Sequence, residues 1–190
     1  MGVSFFHLAG MGRTIPRTLQ IGKPLHTTSS AAGAKGISLT VDYTKPPKDV
    51  FDTYFNFITS DPKTLIIGTS LGGYFAAWLG AETGYPFIAI NPAINPAVTL
   101  WKYLGKGSTY FGSPFDLKPE VIEAYADLPF RMDGAGEVML DEGDEVLSSA
   151  ETTSYVGSKL PVTMFSGGSH RFDHMDQLAV ILKHRLAQQK

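Results

Sequence analysis

Six short apolar runs punctuate the chain: Val3 to Leu8, Ile37 to Val41, Thr64 to Ile67, Phe87 to Ile90, Val138 to Leu140 and Val162 to Phe165. Most are continuous rather than alternating, the pattern of strands buried on both faces of a parallel sheet. Helical patterns lie between them. In "DVFDTYFNFIT", Val50, Tyr54, Phe57 and Ile58 recur at helical spacing. Residues 71–83 are rich in Ala, Leu and aromatics. The closing "DQLAVILKHRLAQQK" sets Leu178, Ile181, Leu182 and Leu186 on one stripe, with the stem of Arg185 beside it. Alternating strands and helices predict one α/β domain over residues 1–190, built on a mostly parallel sheet of about six strands.

Two regions depart from the pattern. Residues 13–34 should hold a crossover helix, but Pro16, Gly22, Pro24 and Gly33 interrupt it. Residues 92–133 carry Pro92, Pro96, Pro114, Pro119 and Pro129, with Trp101, Tyr103, Tyr110, Phe111 and Phe115 among them. A segment that long between two strands reads as a lid or a pocket-forming insertion.

Composition narrows the function classes. The chain has 190 residues, 43% hydrophobic and 18% charged, with a formal net charge of -2. That is a folded protein with no basic surplus to suggest nucleic acid or an anionic membrane as partner. It has no cysteine, so disulfides, thiolate metal sites and a cysteine nucleophile are excluded. The start "MGVSFFHLAG" lacks the basic region and apolar length of a signal peptide, and no run reaches the ~20 apolar residues of a membrane span. A soluble, cytoplasmic protein is the expectation.

The chemistry centres on "LIIGTSLGGYFAAWLG". Gly68-Thr69-Ser70-Leu71-Gly72 satisfies G-x-S-x-G, with a strand pattern before it and a helix pattern after it. That context is the one a nucleophile elbow requires. The turn is so tight that the positions two before and two after the serine must be small, and Gly68 and Gly72 meet that demand. The helix would also aim its first amides at a developing oxyanion. A phosphate-binding turn would need G-x-G-x-x-G or a Lys-Ser/Thr loop, and neither occurs.

A serine hydroxyl needs a base. Of His7, His26, His170, His174 and His184, His170 in "VTMFSGGSHRF" follows the last strand through a Gly-Gly loop, where the base of such a site belongs. His174 is the near rival, read instead as a surface or helix-capping residue. His7 falls inside the first strand, and His184 in the terminal helix. The acid should follow the preceding strand. "EVMLDEGDEVLSS" offers Asp144, on the loop, with Asp141 as the alternative. An acid there fixes the imidazole tautomer and stabilises the imidazolium. The order Ser70, Asp144, His170 is that of the α/β hydrolases.

The segments "GTSLGGYFAAWL", "INPAINP", "GDEVL" and "GGSHRF" together resemble the small esterases of the YqiA-like family of the α/β-hydrolase superfamily. They spread over residues 65–175. The resemblance implies the α/β-hydrolase fold with helices on both faces of the sheet. It also implies Ser70 as nucleophile, Asp144 as acid and His170 as base, and "GDEVL" favours Asp144 further. Such hydrolases usually carry His-Gly after the first core strand; here Ala9-Gly10-Met11 stand there. The backbone N–H groups of Leu71 and Met11 are then the expected oxyanion donors. Gly10, Asn91 and Pro92 are the candidate pocket residues, with Asn91, Pro92 and Asn95 equally readable as turn-formers, and the aromatics between 101 and 115 either line that pocket or pack the insertion.

The expected activity is a serine carboxylesterase acting on a small-molecule acyl ester or thioester, with no metal or organic cofactor. Two alternatives accompany it: a peptidase or acyltransferase using the same triad, and a catalytically idle scaffold that binds a partner.

Overall fold

The computed structural model describes residues 4–8, 35–39, 41–58, 64–108 and 114–188. The expected crossover segment at 13–34 lies outside them. Six parallel strands form the main sheet: β1 (Ser4–Leu8), β2 (Lys35–Leu39), β3 (Leu65–Thr69), β4 (Phe87–Ile90), β7 (Gly136–Asp141) and β8 (Val162–Phe165). Their spatial order is β2-β1-β3-β4-β7-β8, and every neighbouring pair is parallel. All six apolar runs therefore became strands.

The continuous runs are apolar because each face of the sheet has its own core. Ile66, Phe87, Ala89, Val138 and Leu140 face α1 (Pro47–Phe57) and α2 (Leu71–Thr83), contributing to a cluster with Val50, Tyr54 and Phe75. The alternate residues Leu65, Ile67, Ile88, Ile90 and Met139 meet Phe172, Leu178 and Leu182 on the other face. Leu178 and Leu182 come from the terminal helix α6 (Met175–Gln188). Ile181 packs partly buried beside them; the side chains of Arg185 and Leu186 lie outside the described part. Helix α2 is buried nearly all round, as an apolar helix must be.

Helix α1 starts on Pro47, whose missing N–H costs nothing in a first turn. Its packed stripe is Val50, Phe51 and Tyr54, with Phe51 stacked on Trp78 at 4.4 Å. Phe57, expected on that stripe, is instead exposed. The helix ends there, and the chain turns extended at Ile58, which packs partly buried in its place.

The described residues of the 92–133 segment fold into regular elements. They form a short helix α3 (Pro96–Thr99), a 3₁₀ turn (Leu100–Tyr103), an antiparallel hairpin of β5 (Gly105–Ser108) with β6 (Pro114–Leu117), and α4 (Pro119–Glu123). Leu100, Leu117, Val121, Ile122, Tyr125 and Phe130 are buried in the cluster that covers α2. The segment is thus a wall of the main core. Helix α5 (Ser149–Val156), capped by the Ser148 hydroxyl accepting from Glu151 N–H at 3.1 Å, bridges β7 and β8.

Candidate active site

Strand β3 ends in a tightly constrained turn. Ser70 has φ 57° and ψ -124°, between Thr69 in the strand and Leu71 at the first position of α2. A bulky residue two places before it is impossible, since a Cβ on Gly68 would run into the Gly72 carbonyl. Among the described residues only three non-glycine residues have positive φ: Ser70, Asn91 and Phe172. All three flank this site, and strained backbone of that kind, at about 1–3 kcal/mol each, clusters where function requires it. The Ser70 amide donates to the Ile90 carbonyl at 2.9 Å, and the Ser70 carbonyl accepts from Ala93 N–H at 3.1 Å. Both bonds tie the turn to the end of β4.

The structure brings Ser70, His170 and Asp144 together, at the carboxyl ends of β3, β8 and β7. His170 Nε2 lies 3.0 Å from Ser70 Oγ, and His170 Nδ1 lies 2.8 Å from Asp144 Oδ2. A carboxylate only accepts, so the imidazole proton belongs on Nδ1 and leaves Nε2 facing the serine hydroxyl as acceptor. The Asp144 side chain is 2% exposed and His170 8%. Asp144 Oδ1 also accepts from Val146 N–H at 2.8 Å and Leu147 N–H at 2.9 Å, so the turn itself fixes the carboxylate. Sequence reasoning missed Glu145, whose Oε2 accepts from the His170 amide at 3.0 Å. Nothing in the run "GDEVL" marks its second acid for that contact.

Leu71 N–H heads α2, where first-turn amides have no intrahelical acceptor, and so remains available to an oxyanion. Met11 and Gly10 lie outside the described residues, as does His26. The cleft over Ser70 is lined by Leu71, Leu100, Lys102, Tyr103, Val146 and Leu147, among others. Burial pulls the Lys102 ammonium below the usual lysine pKa, and the nearby Asp144 charge opposes the shift. Of the aromatics weighed as pocket lining, Tyr103 is in the cleft, Trp101 is exposed, and Phe115 packs against the core. Tyr110 and Phe111 lie outside the described residues.

Two expected pocket residues do other work. Asn91 is 1% exposed. Its Oδ1 accepts from Asp141 N–H at 2.8 Å, and its Nδ2 donates to the carbonyls of Ser169 at 3.0 Å and His170 at 3.4 Å. Both of its amide N–H groups and one acceptor position of Oδ1 are thereby engaged by the fold. Pro92 is buried against the elbow helix, close enough that a Cβ on Gly73 would meet its Cβ at 3.0 Å. The rival residues are accounted for together: His174 Nδ1 lies 2.7 Å from Asp141 Oδ1. His174 is therefore no free surface residue, although its carbonyl does accept from Leu178 N–H in the first turn of α6. His184 is exposed on α6, and the side chain of His7 lies outside the described part.

Comparison with known proteins gives the family and the fold. The sequence matches the family described as "Uncharacterised protein family (UPF0227)" over residues 53–184, most of the chain. The chain belongs to the UPF0227 family. A UPF0227 protein of Shewanella loihica is 25% identical over 114 residues, 60% of this chain and 59% of that one. The chain thus spans about three fifths of the length of that relative. This UPF0227 protein has the α/β-hydrolase fold, as its likeness to solved structures shows. Est1E from Butyrivibrio proteoclasticus superposes with a TM-score of 0.72 at 12% identity, covering 99% of this chain and 88% of that one. The esterase domain of a Rhodothermus marinus protein gives 0.62 at 17% identity, covering 98% and 85%. Among the described residues no helix is long and apolar enough to cross a membrane.

Proposed function

We propose that this UPF0227 protein is a serine hydrolase of the carboxylesterase type, cleaving small acyl esters or thioesters through an acyl-enzyme. The observation that carries the reading is the hydrogen-bonded series Ser70 Oγ, His170 Nε2, His170 Nδ1 and Asp144 Oδ2, at 3.0 and 2.8 Å. The description of the Rhodothermus neighbour as an esterase domain agrees with it.

Ser70 Oγ attacks the acyl carbonyl while its proton passes to His170 Nε2. The carbonyl π electrons move to oxygen, and the oxyanion is met by Leu71 N–H at the head of α2, with Met11 N–H as the proposed second donor. Collapse of the adduct breaks the bond to the alcohol or thiol, which leaves with the proton from His170. Water, deprotonated by His170, then attacks the acyl-Ser70 ester. The second adduct breaks at Ser70 Oγ, releasing the carboxylic acid and restoring the serine. Asp144 holds the imidazole tautomer and stabilises its charged form throughout. The walls of Leu100, Tyr103 and Leu147 suit the apolar part of a small acyl group.

The test is labelling by a fluorophosphonate probe, read by intact mass. A single adduct on the native protein, absent in Ser70→Ala and strongly slowed in His170→Ala, is expected. Folded native protein that takes up no probe would sink the hydrolase reading and favour a binding scaffold.

A further inference from the structure

We propose that Asp141 and His174, outside the series Ser70–His170–Asp144, form a clamp that sets the position of the His170 loop. They are positioning residues, and the proposal rests on reading His170 as the general base. Asp141 is the last residue of β7 and is 0% exposed. Its Oδ2 accepts from Ser169 N–H at 3.1 Å and from Asp173 N–H at 2.8 Å. Its Oδ1 faces His174 Nδ1 at 2.7 Å. One carboxylate thereby grips the loop on both sides of His170. Its own amide donates to Asn91 Oδ1, which extends the grip to the end of β4.

The fit between carboxylate and loop is close. Gly168 has φ 74°, and a Cβ there would overlap the Asp141 carboxylate. His174 in turn is held by its ring, stacked on Phe165 with centroids 4.9 Å apart and planes inclined 17°. A helix cap would explain less. Helix α6 begins at Met175, yet the two amides that Asp141 binds precede it. Those bonds therefore serve the loop that carries His170. A displacement of the reacting groups by about 1 Å can cost on the order of a hundredfold in rate. Partial release of a loop that Asn91 and Glu145 still hold is expected to cost about tenfold.

Two variants separate the clamp from simple packing. His174→Phe keeps an aromatic ring over Phe165 and removes the donor to Asp141. His174→Asn removes the ring and places an N–H donor where Nδ1 was. The readouts are the rate of fluorophosphonate labelling at Ser70, kcat and KM on p-nitrophenyl acetate, and amide hydrogen exchange over residues 166–174. For His174→Phe the expectation is kcat lowered about tenfold with KM within about twofold, slowed labelling and faster loop exchange. His174→Asn should return kcat to within about threefold of native, with loop exchange restored. Native kcat and exchange in His174→Phe would overturn the clamp. So would losses in His174→Phe that His174→Asn fails to restore, because returning an N–H donor to Asp141 would then not return the function. Should the native protein take no probe at Ser70, the triad reading fails separately. Exchange then decides the clamp: acceleration in His174→Phe reversed in His174→Asn upholds it, and unchanged exchange overturns it.

Discussion

Replacing Asn91 with alanine tests whether one buried amide ties the ends of β4 and β7 to the loop after β8. The side chain supplies an acceptor to Asp141 N–H and a donor shared by the Ser169 and His170 carbonyls. Truncation leaves these groups short of partners, and a buried unpaired group costs about 1–3 kcal/mol. The backbone adds a second term. Asn91 sits at φ 41°, a region that asparagine tolerates and alanine enters at a cost of about 1–2 kcal/mol. Counting the shared donor once, the loss comes to about 3–8 kcal/mol, a large fraction of a typical total of roughly 5–15. For a chain of this length each kcal/mol lowers Tm by about 2–4 °C, so a fall on the order of 10 °C or more is expected. Urea and thermal unfolding followed by circular dichroism measure both quantities. Asn91→Gly, free of the positive-φ penalty, should lose no more stability than the alanine variant. A stability loss below about 1 kcal/mol in Asn91→Ala would refute the argument.

Further outcomes concern the tyrosines and the surface. Burial raises the pKa of Tyr43, Tyr54, Tyr74 and Tyr125 above the ordinary 10.0. Since the unfolded state ionises first, the stability tied to these protonated phenols is complete below pH 10 and is lost as the pH rises beyond it. Phenolate absorbance should therefore show these four titrating together with alkaline unfolding; their titration in folded protein near pH 10 would contradict the burial. The Tyr125 hydroxyl is buried with no hydrogen-bond partner among the described residues, so Tyr125→Phe should hold or raise stability by about 1 kcal/mol. Tyr43→Phe, which breaks the 2.8 Å bond to the Tyr54 hydroxyl, should lower it in the same urea titration. Arg131 bonded to Asp133 lowers that carboxyl to about 2; its contribution is present above pH 3.8 and fades as pH falls towards 2. Carboxyl NMR should find the Asp133 midpoint there, and Arg131→Gln should return it to the normal range.

The elbow was legible because its requirements are local. A strand, a helix and small residues at Gly68 and Gly72 each leave a mark in a few consecutive positions. The sheet was legible for a related reason, since burial on both faces forces unbroken apolar runs. The choice between Asp141 and Asp144 was not settled by spacing. Asp141 ends β7 and Asp144 follows three residues on; only the turn, with Asp144 N–H donating to the Asp141 carbonyl at 3.2 Å, carries the second round to His170. His174 does cap α6 through its carbonyl, as the sequence allowed; the ring's partner, Asp141, left no local mark because it lies 33 residues away. The hairpin of β5 and β6 was invisible: "GKGS" and "PFDL" offer neither alternation nor a β-branched run. Asn91 looked like a pocket residue because a polar side chain at a strand end does not announce that other loops will consume its hydrogen bonds.

Described residues of the 92–133 segment share one hydrophobic cluster with the helix that follows Ser70, and under the proposed function this constrains how the substrate range can change. Enzymes whose recognition element is a detachable appendage can exchange it and leave the reaction untouched. Here Leu100 faces the cleft and also belongs to the core. On the proposed hydrolase reading, a substitution that reshapes the acyl pocket is therefore also a core substitution, and shifts in substrate preference will travel with shifts in melting temperature. Lineages or laboratory selections that broaden its range will first need stabilising changes elsewhere. The exposed rim at Trp101 and Lys102 is where preference can drift at least thermodynamic expense.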